Sequence, residues 1–162
     1  MPNCVGYANG RFNEIIGQTP FAYQFISDAF KFIDIARSKK LLIGSIPQLG
    51  AIAVWKDLNY PNSRGHVAIV EHIYSVNHIL TSESGYGNRA IWWTVERYSY
   101  NGNWSSASNL VFLGFIYNPA VPCDAVPGLL ANYNYYDGGA VNIPDSEYIS
   151  SQSSLLYKTQ NV

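Results

Sequence analysis

The chain has 162 residues, of which 48% are hydrophobic and 13% charged, which suits one domain with a full core and excludes an intrinsically disordered chain. Ten basic residues against eleven acidic ones leave a net charge of −1, so the basic footprint of a nucleic-acid-binding surface is missing. There is no run of about 18 apolar residues to span a membrane, and the first residues carry neither the basic nor the apolar region of a secretory signal peptide.

Residues 4–16, CVGYANGRFNEII, are expected to form a helix. Val5, Ala8, Phe12 and Ile15 recur on one side, Asn3 is placed to cap it, and Gly17 to stop it. A second helix is expected over 22–38, with Phe25, Ala29, Phe32, Ile33 and Ala36 on its apolar face and Arg37, Lys39 and Lys40 toward its carboxyl end. Pro47 and Gly50 then break the chain, and the texture becomes β-branched. Strands are expected at 51–55 (AIAVW), 66–74 (HVAIVEHIY), 78–84 (HILTSES), 90–98 (AIWWTVERY) and 110–117 (LVFLGFIY), with turn-forming loops at 57–65 and 101–109. Helices first and antiparallel strands after predict an α+β fold, N-terminal helices packed on a mostly antiparallel sheet. Past Pro119 two prolines, a glycine and then a serine-rich polar stretch follow, so residues 1–119 read as the domain and 120–162 as a tail or linker, packed along the domain at its start.

Cys4 and Cys123 are too few for a disulfide framework, no CxxC or HxxxH pairing offers a zinc site, and a single bridge between the two lacks a secretory context. Cys4 falls at the first turn of the first helix, where unpaired N–H groups and the helix dipole favour a thiolate, the nucleophilic form. A small buried residue at a helix start is the competing reading. A nucleophilic thiol needs a base, and the histidines are His66, His72 and His78. His66 follows Gly65 at a strand start, where a cleft can open, whereas His72 and His78 flank the SVN turn and read as exposed turn-side residues. Glu83 can orient the His66 ring if the hairpin register puts both on one face. A two-residue turn at Ser75-Val76 does this, setting Tyr74 opposite Asn77 and Ala68 opposite Glu83, whereas a three-residue SVN loop turns Glu83 away unless a bulge intervenes. Tyr7, Tyr86, Trp92 and Trp104 are candidate substrate-binding rings, able to stack on sugars if exposed.

In order and spacing, NCVGYA (3–8), PQLGAIAVW (47–55), GHVAIVEHI (65–73) and TSES (81–84) resemble the cysteine, histidine-dependent amidohydrolase/peptidase (CHAP) family, over roughly residues 1–118. The resemblance implies a papain-like fold and hydrolysis of an amide bond in peptidoglycan, as an N-acetylmuramoyl-L-alanine amidase or an endopeptidase, in the manner of phage endolysins and bacterial autolysins. It carries the nucleophile to Cys4, the base to His66, the orienting residue to Glu83, and the neighbourhood of the oxyanion hole to Asn3. One departure is visible: Gly85 stands where family members often have asparagine, and Asn88 is the nearby candidate to replace it. The acidic calcium loop that some phage members carry before the cysteine has no counterpart in the three residues ahead of Cys4, so no metal and no other cofactor is expected. The expected partner is peptidoglycan, with no nucleic acid and no membrane insertion, and with a C-terminal wall-binding module where the chain is part of a longer parent. The expected place of action is the bacterial cell wall, reached through a holin or as part of a phage particle. Two readings compete with hydrolysis: a non-catalytic wall-binding or virion structural module on the same fold, and a cysteine transferase or deamidase acting on proteins.

Overall fold

A computed structural model describes residues 3–17, 22–62, 64–85, 92–104 and 107–122. Helix α1 spans Cys4–Ile16. Its start is set by Asn3, whose backbone is extended and whose Oδ1 accepts the Gly6 N–H at 3.0 Å, satisfying one of the donors a helix start leaves over. Its end is set by Gly17 at φ +74°, a left-handed conformation that lets its N–H reach back to the carbonyls of Asn13 and Glu14.

The second helix is shorter than the 22–38 expected from apolar spacing. A 3-10 turn covers Ala29–Lys31, and helix α2 covers Phe32–Ser38. The segment before them is held by α1 instead. Asn13 Oδ1 accepts the Tyr23 N–H at 2.9 Å, Asn13 Nδ2 donates to the Tyr23 carbonyl, and Asn9 Oδ1 accepts the Phe25 N–H at 3.0 Å. The Tyr23 carbonyl, which a helix over 22–38 would have used in its own ladder, is taken by Asn13 instead. The apolar spacing still reaches the core: the Phe25 ring lies 4.8 Å from Phe32 and 5.7 Å from Phe12.

Among the described residues six strands form one sheet: β1 (Ile43–Gly44), β2 (Ile52–Asp57), β3 (Gly65–Ser75), β4 (His78–Glu83), β5 (Trp93–Tyr98) and β6 (Leu110–Ile116). Their order is β1-β6-β2-β3-β4-β5, with every pairing antiparallel. The α+β expectation therefore holds, and the long strands fall close to their expected places. Strand β1 is too short to leave a periodic signal. Both faces of the central strands are covered. Val54, Val67 and Ile69 pack under the helices with Ala8, Phe12 and Phe32, while Ala53, Trp55, Ala68 and Val70 pack on the other face with Ile79, Trp104 and Phe115. Burial on both sides explains why β2 and the first half of β3 read as nearly continuous apolar runs rather than alternating ones.

The β3–β4 hairpin turns one residue later than expected, with Ser75 facing His78. Two irregularities, between Ile73 and Ser75 and between Val70 and His72, then shift the register. By the time Ile69 faces Ser82, the pairing is the one that sets Glu83 opposite Ala68 when carried a residue further. A bulge inserts an extra residue on one strand, so two of them keep Glu83 on the same face and move it two residues along β3, from opposite Val70 to opposite Ala68. Residues 123–162, most of the expected tail, lie outside the described residues, as does Cys123.

Candidate active site

Three elements end together at one margin of the sheet: the start of α1, the start of β3 and the end of β4. Cys4 is the first residue of α1, a free thiol 8% exposed that packs into the helix-side core. His66 is the second residue of β3, paired with Trp55 across to β2. Gly65 before it has φ +152°, and a Cβ there would lie 2.3 Å from the Trp55 carbonyl oxygen and 3.1 Å from the Phe30 N. Only glycine lets β3 approach β2 so closely at this point, and that approach delivers the His66 ring to a place 5.8 Å from the Trp55 ring.

Glu83, at the end of β4, is 5% exposed. Its Oε2 lies 3.3 Å from His66 Nε2, a charge contact in which Nε2 makes no well-aligned hydrogen bond. With Nε2 turned to Glu83, Nδ1 is the ring nitrogen left for the thiol. Burial opposes a charge on His66, yet the hydrogen bond with Cys4 and the contact with the Glu83 carboxylate outweigh it, and the imidazole is pushed up to about 9. Burial likewise opposes charge on Glu83, and His66 and Arg97 together hold its carboxyl below the usual carboxylate range. The arrangement favours a carboxylate beside an imidazolium, the form the ring takes when it accepts a proton from Cys4 on its far side.

The other Glu83 oxygen is taken from β5. Arg97, 4% exposed, puts Nη2 on Glu83 Oε1 and donates from Nε to Thr81 Oγ1 at 3.0 Å, and its guanidinium lies 4.5 Å from the Trp55 ring centroid. Sequence reasoning passed over Arg97. The available signal was the alternation of β5, which sets Arg97 on the same inward face as Val95 and Trp93. An arginine pointing inward beside the strand that carries Glu83 asks for a carboxylate.

Beside α1 a cleft of about 450 Å³ opens between Tyr7, Arg11, Glu14, Glu71, Ser82, Trp92 and Thr94. Arg11 grips Glu71 with Nε and Nη2, both at 2.9 Å, and Ser82 Oγ donates to Glu71 at 2.7 Å. Tyr7 and Trp92, both expected to bind substrate, stack at 6.5 Å on this wall, with Tyr7 buried and Trp92 55% exposed. Tyr86 and Asn88 lie outside the described residues. Trp104 corrects the expectation. It is 2% exposed, edge-on to Phe115 at 5.8 Å, and its carbonyl accepts the Trp55 Nε1–H at 3.3 Å. Its loop folds the ring into the core, so Trp104 offers no face to a ligand. Among the described residues, no group of three or more His, Cys, Asp or Glu side chains is placed to hold a metal ion. None of the described helices is long and apolar enough to cross a membrane.

The chain is similar to a solved N-acetylmuramoyl-L-alanine amidase from Staphylococcus aureus, at 21% identity and a TM-score of 0.48 over 69% of this chain. It spans 30% of the length of that amidase. The CHAP domain family model matches residues 1–85, more than half of the 162 residues and a span that includes Cys4, His66 and Glu83. The chain belongs to the CHAP domain family.

Proposed function

We propose that this protein cleaves an amide bond of peptidoglycan by cysteine-dependent acyl transfer, with Cys4 as nucleophile, His66 as base and acid, and Glu83 as the residue that orients and charges the imidazole. The observation that carries this reading is the His66 ring held between Glu83, at 3.3 Å from Nε2, and the Cys4 thiol at the start of α1. His66 takes the thiol proton, and the thiolate attacks the carbonyl carbon of the scissile amide. The oxyanion that forms is met by the Cys4 backbone N–H at the open helix start and by the Asn3 amide. The Asn3 cap uses Oδ1, and this role needs the donor end, Nδ2. The intermediate collapses as His66 protonates the leaving amine, a thioester remains on Cys4, and water activated by His66 releases the acid.

In this reading residues 1–119 form the catalytic domain and 120–162 a tail or linker. The cleft along α1 receives the substrate's arm on that side, with Trp92 as the exposed ring and Tyr7 bracing it from below. Tyr7 lies one helical turn from Cys4, so the cleft begins one turn of α1 beyond the nucleophile. The activity is that of an amidase or endopeptidase of the endolysin or autolysin kind, working at the bacterial wall. The test is digestion of purified peptidoglycan from several species with mass analysis of the fragments. A new amine on L-alanine marks an amidase, and a new amine within the stem or cross-bridge marks an endopeptidase. No released amine from any wall, with the Cys4→Ala variant indistinguishable from wild type, overturns the proposal.

A further inference from the structure

The carboxylate of Glu83 is divided between two partners, and the second of them has no part in the chemistry above. Oε2 faces His66, whereas Oε1 is held by Arg97, with the Thr81 hydroxyl a further 3.5 Å contact. Arg97 faces Ile79 across the β4–β5 pairing, and Glu83 lies four residues further along β4. That is about 13 Å of strand, so both side chains lean along the sheet to meet above Thr81, which sits between them on the same face. The arginine fork is anchored by Nη2 on Glu83, by Nε on Thr81 at 3.0 Å, and by the guanidinium plane over Trp55 at 4.5 Å. Trp55 in turn lies 5.8 Å from the His66 ring, so Arg97 spans the two residues that flank the histidine.

A buried ion pair is seldom the most stable way to fill a core, because desolvation offsets much of its attraction. Two apolar side chains would fill the space between β4 and β5. What the pair adds is geometry: with Oε1 occupied, the carboxylate cannot rotate, and Oε2 stays aimed at the imidazole. Arginine suits this because its planar fork binds two partners at a set angle, which a lysine ammonium does not.

We propose that Arg97 is the positioning residue of the active site, locking the Glu83 carboxylate from behind so that its free oxygen faces His66. This inference rests on the Cys4–His66–Glu83 reading and deepens it. It acts through Glu83, so it predicts coupling between the two positions.

The test is the pH dependence of Cys4 alkylation by iodoacetamide, with Cys4 and Cys123 resolved by peptide mass analysis, because this readout needs no wall substrate. Arg97→Met is expected to slow Cys4 alkylation near neutral pH about 10-fold and to move the acid-side limb to higher pH. The sign follows from Glu83: without Arg97 its carboxyl takes up a proton more readily and favours the imidazolium less. At metal centres, residues that hold a ligand in place carry about 10- to 100-fold of function, and the same order is expected here for wall cleavage. Arg97→Lys, which keeps the charge without the fork, is expected to recover the limb position but only part of the rate. Because Arg97→Met strands a buried carboxylate, the double variant with Glu83→Gln is made as well. It is expected to fold and to match Glu83→Gln alone. A wild-type profile in Arg97→Met, or losses in the double variant that simply add, overturns the proposal. If Glu83→Gln itself leaves the Cys4 profile unchanged, the triad reading has failed, which is a different outcome.

Discussion

His66 and His78 stand at opposite ends of the β3–β4 hairpin, and each brings Nε2 near a glutamate oxygen, at 3.3 Å from Glu83 and 3.6 Å from Glu96. By distance the pairs are nearly alike. They differ in what surrounds them. The side chain of Glu83 is 7% exposed and backed by Arg97, whereas that of Glu96 is 52% exposed. His66 has a thiol across its ring, whereas His78 is sandwiched by Tyr98 at 4.1 Å and Tyr74 at 4.3 Å. Water screens the outer pair, and its worth is that of a surface contact. The inner pair sits where a charge must be compensated locally, and there the Cys4 hydrogen bond and the Glu83 carboxylate hold the His66 proton against the cost of burial. A histidine–carboxylate contact becomes a candidate acid–base pair through burial and a third group, not through separation alone.

The sharpest way to break this comparison is to delete both histidines in turn. His66→Ala, like Cys4→Ala, is expected to reduce wall cleavage to background, while His78→Ala leaves it within about twofold, since surface changes are nearly neutral. Release of soluble fragments from purified peptidoglycan measures both, and equal losses would erase the distinction drawn here.

The glutamates should separate next. Glu83→Gln is expected to lower the rate about 10-fold or more, because an amide oxygen still accepts from the ring but no longer favours its charge, and to raise the acid-side limb of the pH–rate profile. Glu96→Gln should change neither rate nor limb. Wild-type rates in both Glu83→Gln and Glu83→Ala would make Glu83 an ordinary strand residue.

Stability offers a third contrast. His66 is raised from its ordinary 6.5 to about 9, so its contribution is complete below pH 6.5 and is lost as pH rises through about 9. Glu83 is lowered from 4.5, so its contribution is present above pH 4.5 and fades as pH falls below that value. The pair therefore supports the fold most between about pH 4.5 and 6.5. On the alkaline side the His66 share is on the order of 3 kcal/mol. Thermal unfolding between pH 6.5 and 9.5 should show a falling midpoint in wild type and a flatter one in His66→Gln. A slope left intact in His66→Gln would assign the effect elsewhere.

The smallest effect is at the helix start. Asn3→Ala removes the Oδ1 bond to the Gly6 N–H and should cost about 1 kcal/mol of stability. It should also lower cleavage, since the same amide is assigned to the oxyanion. Asn3→Ser, able to cap but without the amide donor, should restore the midpoint and leave the rate low. Full recovery of rate by Asn3→Ser would limit Asn3 to capping.

Much of this was legible in the chain. Helix α1 and its two caps follow from local rules, because Asn3 and Gly17 act within one turn of themselves. The candidate thiol and base were found from position, Cys4 at a helix start and His66 after a glycine at a strand start. Local rules failed at the second helix, where Asn9 and Asn13 from α1 bind the backbone around Tyr23 and Phe25 and draw it away from helical geometry. They failed again at Trp104, whose burial depends on how its loop folds over Phe115. At the hairpin, sequence reasoning reached the right face for Glu83 with the wrong turn, and only the folded sheet supplied the two shifts that bring it beside His66. Arg97 lay furthest out of sight. Its partners come from β4 and β2, and pairing between strands distant along the chain is decided by how the whole sheet buries its two faces, not by any short stretch of residues.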